Sequence, residues 1–112
     1  MSYVDVIDEM KAVNKRLTNA IVELNRLAKA KAEAERDYRV AIFKCIVELK
    51  EQGLGMTIIP DIAKGKCADE MYQRDLSDGL FTAVRDSISA LQTQSTMLQS
   101  ILKIQKETEW QA

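Results

Sequence analysis

The chain has 112 residues, nearly half of them apolar, and a formal net charge of −1. This length limits it to one domain with a buried core, which we assign to residues 1–112. The balanced charge argues against bulk nucleic-acid binding, and no apolar run approaches the roughly 20 residues that span a bilayer. Because the N-terminal segment MSYVDVIDEM has no basic region, we expect no signal peptide, no membrane contact and a cytoplasmic location.

Residue types that carry catalysis or bind metal ions are scarce. The sequence has no histidine, the commonest general base, and no phosphate-binding loop or nucleophile motif. Cys45 and Cys67 are far apart and have no histidine to complete a zinc site. We therefore expect no enzyme, no cofactor and no metal site. Both cysteines are predicted to be buried free thiols of a reducing compartment, with a disulfide as the alternative.

The first long helix is predicted from its regular apolar spacing. Apolar or small residues recur with alternating steps of four and three, interrupted only by Lys31. They are Val6, Met10, Val13, Leu17, Ala20, Leu24, Leu27, Ala34, Tyr38, Ala41 and Cys45. This spacing is typical of a heptad seam that packs against another helix.

The ends of this helix carry local signals that place it at about residues 3–52. Ser2 and Asp5 have the spacing of an N-terminal capping box. At the other end, Gly53 suits the left-handed position just after a helix, where Leu54 would pack against Leu49.

The stretch GLGMTIIPDIAKGK, residues 53–66, is predicted to be a structured turn. Pro60 favours one short helical turn, which Gly65 would end. This stretch is unusually apolar for a connection, and its large residues are candidate partner-binding residues. They are Leu54, Met56, Ile58, Ile59 and Ile62. Two interpretations stay open: a plug over the core of the helix pair, or an exposed apolar knob for a partner.

A second long helix is predicted for about residues 67–110, with Asp69 and Glu70 in its first turn. Its predicted apolar stripe consists of Leu76, Leu80, Val84, Ile88, Leu91, Leu98 and Leu102 or Ile101. Gly79 lies inside this helix. It either admits the partner helix, beside Phe43, or is simply tolerated.

Two helices of similar length joined by a short turn predict an all-α fold, a long antiparallel helical hairpin that resembles a coiled coil. The first helix doubles its stripe in places, at Ile21, Ala28, Ile42 and Ile46. Because a two-helix hairpin leaves this extra width uncovered, we expect a homodimer that forms a four-helix bundle; a different protein partner could cover the same surface.

Charge is unevenly distributed along the chain. Residues 10–32 contain six basic residues and only one acidic residue, Glu23. The six basic residues form a candidate basic patch near the termini. They are Lys11, Lys15, Arg16, Arg26, Lys29 and Lys31. By contrast, residues 67–86 carry five acids and two bases. Such a distribution could bind phosphates or an acidic protein surface, or could orient two hairpins head to tail.

Residues 87–102, SISALQTQSTMLQSIL, carry no charge at all. An exposed helix usually has Lys and Glu on its outer face, so this segment is predicted either to contact another helix or to be merely a neutral exposed face. The candidate polar contacts are Gln92, Gln94, Ser95 and Gln99.

Four short features resemble small phage and prophage proteins of Gram-positive bacteria. They are Tyr38-Arg39 on the first helix, the segment from Gly53 to Thr57, the segment from Ala63 to Gly65, and Arg74-Asp75 on the second helix. The resemblance covers about residues 34–104. It implies a phage setting, among replication and recombination functions, and the cytoplasm of a host cell; it implies no established activity.

The sequence therefore predicts a non-enzymatic helical module that acts through an unidentified protein partner, as an accessory to phage DNA replication or recombination. One alternative is an inhibitor of a host nuclease or defence complex. Another is a protein that binds nucleic acid directly through its basic end, which is not favoured because no aromatic residues alternate with the bases.

Overall fold

The computed structural model describes residues 2–111, with side chains up to Glu109. It contains three helices: α1 (Tyr3–Glu51), α2 (Ile59–Lys66) and α3 (Ala68–Gln111). No strand occurs in this part of the chain, so the predicted all-α fold is confirmed. The predicted bounds of the two long helices are correct to within one or two residues.

Both predicted ends of α1 are confirmed. The Ser2 hydroxyl accepts a hydrogen bond from the Asp5 amide at 3.2 Å, and the Asp5 carboxylate accepts one from the Ser2 amide at 3.1 Å. This reciprocal pair is a capping box. At the other end Gly53 has a φ of 80°, and the Leu54 amide donates to the Leu49 carbonyl at 3.3 Å. These are the marks of a Schellman motif, in which Leu54 packs against the core that contains Leu49.

The structure divides into two compact units. The terminal unit contains the described residues up to Asn25 and from Ala83 onward, and the turn unit contains Arg26–Thr82. In each unit, part of α1 packs against part of α3. The core of the terminal unit is built on Val6, Val13 and Leu98.

The turn unit has a larger core because α2 contributes to it. Its buried residues are Cys45, Leu49, Ile59, Ala63 and Cys67, and Ile42, Ile46, Leu54 and Ile62 pack against them. Further along the helices, Lys31 contacts Asp78 while Tyr38 contacts Arg74. Since the α3 number falls as the α1 number rises, the two helices are antiparallel, as a helical hairpin requires.

The short helix α2 is longer than the predicted turn of helix, residues 60–64, by one residue at its start and two at its end. Pro60 lies in its first turn, as predicted. Gly65, however, does not end it: the helix continues to Lys66, and only Cys67 separates it from α3. The reason is that the Cys67 amide donates to the Ala63 carbonyl at 3.0 Å, which continues the helical hydrogen bonding past the glycine.

The predicted stripe of α3 is wrong in its first part. Leu76 and Leu80 are 41% and 47% exposed, whereas Arg74, Ser77 and Phe81 are half-buried. The seam of α3 keeps its heptad spacing but runs through polar residues here. Apolar character alone therefore selected the wrong side of the helix.

Gly79 also lies on an open side of α3. A Cβ atom added there would meet nothing within 4 Å, and Phe43 is largely exposed. The interpretation that Gly79 admits a partner helix beside Phe43 is therefore wrong, and the glycine is a tolerated one.

Candidate functional site

The five apolar residues predicted to bind a partner in the turn divide into two groups. Ile59 is buried, while Leu54 and Ile62 pack against the core of the turn unit. In contrast, Met56 and Ile58 are 70% and 48% exposed. Three of the five residues therefore plug the core, and the other two form an exposed pair that we call the turn surface; that a partner binds there stays a prediction.

Backbone hydrogen bonds fix the turn surface in place. The amides of Ile58 and Ile59 both donate to the Gly55 carbonyl, at 3.2 and 3.3 Å, and the Ile62 amide donates to the Ile58 carbonyl at 3.2 Å. Ile58 is the N-cap residue of α2, and its apolar side chain makes no capping hydrogen bond. The exposure of these side chains is thus set by an ordered backbone.

The uncharged segment of α3 is confirmed as helical, but its four candidate residues do not share one surface. Gln94 and Ser95 are half-buried, whereas Gln92 and Gln99 are exposed. Residues seven apart lie on the same side of a helix, so Gln92 and Gln99 form one row. Ser95 belongs to the seam that faces α1, and Gln94 lies on the opposite flank of that seam.

Hydroxyl groups in and around this segment are bonded within α3. Ser87, Thr93, Thr96 and Ser100 each donate to the carbonyl oxygen four residues earlier, at distances from 3.0 to 3.2 Å. Such a bond turns the polar hydrogen back onto the helix. The outer face of α3 is therefore less polar than its composition indicates.

The six predicted basic residues belong to different units. Lys11, Lys15 and Arg16 are exposed in the terminal unit. Lys31 belongs to the turn unit, where its ammonium group lies 3.0 Å from Asp78 and 4.8 Å from the centre of the Phe81 ring. Its charge is thus already engaged. Arg26 also has an interaction within the protein, and Lys29 is exposed.

Arg74 explains how a charged residue occupies the α3 seam. Its guanidinium group lies 4.2 Å from the centre of the Tyr38 ring and pairs with Asp75 at 3.1 Å. The hydrogen bond with Asp75 raises the pKa of Arg74. The aliphatic stem of Arg74 packs while its charge stays near water and an acid. The heptad spacing includes this position, but a search for apolar residues omits it.

A shallow groove of about 390 Å³ in the turn unit carries four carboxylates. It is lined on α1 by Glu33 and Asp37 and on α3 by Asp69 and Glu70, and Ala30 and Ala34 also line it. No group of three or more potential ligand residues in the described part of the chain is arranged to hold a metal ion.

The two cysteines are free and buried in the same core, as predicted. Burial raises the pKa of the Cys67 thiol, and the neighbouring Cys45 raises it further. Because the thiolate is the reactive form, this environment makes Cys67 a poor nucleophile. The thiols act as small apolar residues at the junction of α2 and α3.

Comparisons with known proteins bring no further assignment. No family model, no curated protein and no solved structure matches this chain. The resemblance to phage proteins therefore stays a prediction. Among the described residues, no helix has the length and apolar character needed to cross a bilayer.

Proposed function

We propose that this chain is a non-enzymatic protein-interaction module that dimerises and presents its turn surface to a different protein. The observation that carries this proposal is the contrast within the turn: Met56 and Ile58 are 70% and 48% exposed, whereas Ile59 is buried. A turn that served only to close the core would have no use for two further large apolar side chains.

The chemistry of the turn surface fits an apolar pocket on a protein. Methionine is flexible and polarisable and adapts to irregular pockets, while isoleucine adds a rigid branched anchor. Because the backbone of the turn is already hydrogen-bonded, binding would cost little ordering entropy there. In the phage setting that the sequence implies, the partner belongs to the replication or recombination machinery in the host cytoplasm.

The experiment is a pull-down from phage-infected host lysate with three tagged proteins: the wild type, a Met56→Ser/Ile58→Ser variant and a Val22→Ser control. Serine is a favoured N-cap residue, so the substitution at Ile58 should not weaken α2. Val22 is as exposed as Met56 but lies in the terminal unit. Half of each lysate is treated with nuclease.

We expect a protein that the wild type and the Val22 variant capture after nuclease treatment and that the turn variant loses. Its identity would decide between an accessory factor and the alternative, an inhibitor of a host nuclease or defence complex. Equal capture by all three proteins would contradict a role for the turn surface.

Direct nucleic-acid binding is a second candidate, because Lys11, Lys15 and Arg16 are exposed together in one unit. Binding through phosphates weakens steeply as salt rises. A titration of the wild type and of Lys11→Gln/Lys15→Gln with single- and double-stranded DNA, at low and moderate salt, tests it. Equal or absent binding by both proteins would exclude this candidate.

A further inference from the structure

A second heptad pattern runs along α3 within the terminal unit, beside the seam that faces α1. Its residues again follow alternating steps of four and three, and none of them is charged. They are Ala83, Ser87, Ala90, Gln94, Met97, Ile101, Ile104 and Thr108, which we call the α3 stripe. All are exposed except Gln94, which is half-buried. An uncharged stripe with heptad spacing is suited to packing against another helix, and α1 does not cover this one.

The polar members of the α3 stripe that carry hydroxyl groups are suited to burial. The Ser87 hydroxyl donates to the Ala83 carbonyl at 3.0 Å, and the Thr108 hydroxyl donates to the Ile104 carbonyl at 2.9 Å. A buried polar group is costly mainly when it has no hydrogen-bond partner. Both hydroxyl hydrogens already have an acceptor, so covering these residues would avoid that cost. Met97 and Ile104 are about three-fifths exposed and gain most from being covered.

Residue size along the α3 stripe indicates what covers it. The large residues Met97, Ile101 and Ile104 occupy its C-terminal half, and the small residues Ala83, Ser87 and Ala90 occupy its N-terminal half. If two copies of the stripe pair antiparallel, the large half of each meets the small half of the other. Parallel pairing would instead place large against large and small against small, leaving one half loosely packed.

We propose that a second copy of this chain binds the α3 stripe, with the two α3 helices antiparallel about a two-fold axis. This inference rests on the proposed dimerisation and names its surface. Such an interface is isologous, so every contact occurs twice.

Charges on α1 fit the same axis. On α3, Met97 is one position before the seam residue Leu98, and Ile101 is three positions after it. On α1, Ala12 and Arg16 have the same offsets from the seam residue Val13. Glu9 is four positions before Val13. In an antiparallel helix pair, equal offsets lie on the same side. The acidic groove of the turn unit illustrates this rule, since residues with these offsets on α1 and α3 line it together.

The position of the axis then pairs opposite charges. Leu98 packs with both Val6 and Val13, which places Val13 level with Ser95. The midpoint of the α3 stripe, beside Ser95, is therefore level with the midpoint between Glu9 and Arg16. A two-fold axis through that point sets Glu9 of one copy opposite Arg16 of the other, twice per dimer.

The area available is sufficient for a stable dimer. The α3 stripe extends for about 37 Å at 1.5 Å per residue. Two helices side by side are about 20 Å wide, since packed helices are 8–10 Å apart. The footprint is thus about 700 Å² per copy, or roughly 1,400 Å² in total, within the usual range for specific complexes.

Sedimentation equilibrium of three variants tests the surface. Met97→Glu places a charge in the proposed interface, Val22→Glu is a matched control on the outer side of α1, and Ile21→Glu probes the opposite side of the terminal unit. Circular dichroism checks that each variant is folded. We expect a dimer for the wild type and both α1 variants, and a dimer at least about a hundredfold weaker for Met97→Glu, since the charge is buried twice.

Charge exchange and cross-linking test the orientation. Glu9→Arg and Arg16→Glu should each weaken the dimer about tenfold, and the double variant should recover to within about threefold of the wild type. Under oxidation, Gln94→Cys near the axis should form a covalent dimer, whereas Ala83→Cys, far from its mate in an antiparallel pair, should not.

These experiments distinguish failure of the α3 stripe from failure of dimerisation itself. A wild type that stays monomeric at high micromolar concentration overturns both the α3 stripe and dimerisation. A dimer that survives Met97→Glu, or that Ile21→Glu dissociates instead, overturns the α3 stripe alone. Cross-linking through Ala83→Cys as efficient as through Gln94→Cys overturns the antiparallel arrangement.

Discussion

The terminal unit and the turn unit are built from the same two helices but solve the burial problem differently. In the turn unit, α2 covers the extra apolar width of α1, so that Ile42 and Ile46 pack against the core. Among its described residues the terminal unit has no third element, and Ile21, which corresponds there to Ile42, stays half exposed. A pair of helices buries one stripe of each, and any second stripe needs a further element from the same chain or from another.

The difference also affects local stability. The core of the turn unit joins three elements and includes the fully buried Leu49 and Ala63. The core of the terminal unit joins two elements and contains fewer buried residues, Val6, Val13 and Leu98. Fewer buried residues predict easier local opening of the terminal unit.

The largest effect is expected from removing a buried side chain that α2 adds to the turn unit. Ile59→Ala should lower the free energy of unfolding by about 2–5 kcal/mol, because it deletes buried methyl groups and leaves a cavity. Ile58→Ala, one residue earlier but half exposed, should change it by less than about 1 kcal/mol. Urea denaturation followed by circular dichroism measures both. Equal losses of unfolding free energy in the two variants would mean that Ile59 does not plug the core.

Hydrogen exchange tests the two units against each other. At a concentration too low for the proposed dimer to form, amides around Val6 and Val13 should exchange at least about tenfold faster than those around Leu49. At concentrations where the proposed dimer forms, protection should rise in the terminal unit and stay constant in the turn unit. Uniform exchange at every concentration would show that the two units do not differ in stability.

Much of this fold was predictable because its signals are local or strictly periodic. The capping box at Ser2, the glycine at residue 53 and the heptad spacing of α1 each act through nearby backbone or along one helix. The seam of α3 near Arg74 was predicted wrongly because a charged residue occupies a packed position there. Its packing depends on Tyr38, a long-range contact that no local pattern reveals.

The candidate site was only partly predictable for the same reason. The turn was correctly identified as unusually apolar. Which of its side chains faces the core depends on how α2 lies on α1. The sequence does not distinguish Ile58 from Ile59, since both are isoleucine. Similarly, the uncharged part of α3 was visible in the sequence. Its division into a seam through Ser95 and an outer row with Gln94 and Met97 follows only from the position of α1.

A smaller gain in stability is expected at Gly79. This residue lies inside α3, and a methyl group there would meet nothing within 4 Å. Gly79→Ala should therefore stabilise the turn unit by about 1 kcal/mol, through helix propensity and a less flexible unfolded chain. Thermal unfolding of the variant measures the effect. A loss of stability would instead indicate that another helix approaches this side of α3.

The smallest effect concerns the first turn of the terminal unit and depends on pH. Hydrogen bonding with Ser2, first through its side chain and then through its backbone, lowers the pKa of the Asp5 carboxyl group. Since the folded-state pKa lies below the unfolded one, the ionised carboxylate stabilises the helix start at neutral pH. That contribution is lost as the pH falls below about 4 and through the folded-state value.

Asp5→Ala should accordingly lower the melting temperature slightly at pH 7, and the difference from the wild type should shrink in acid. Asp8→Ala, which removes a carboxylate three residues further along α1, is the control for general charge effects. Amide exchange at Val6, whose amide donates to the Ser2 carbonyl at 3.1 Å, gives a local readout. If both variants lose stability equally and at every pH, the helix start is held by charge or packing and not by the capping box.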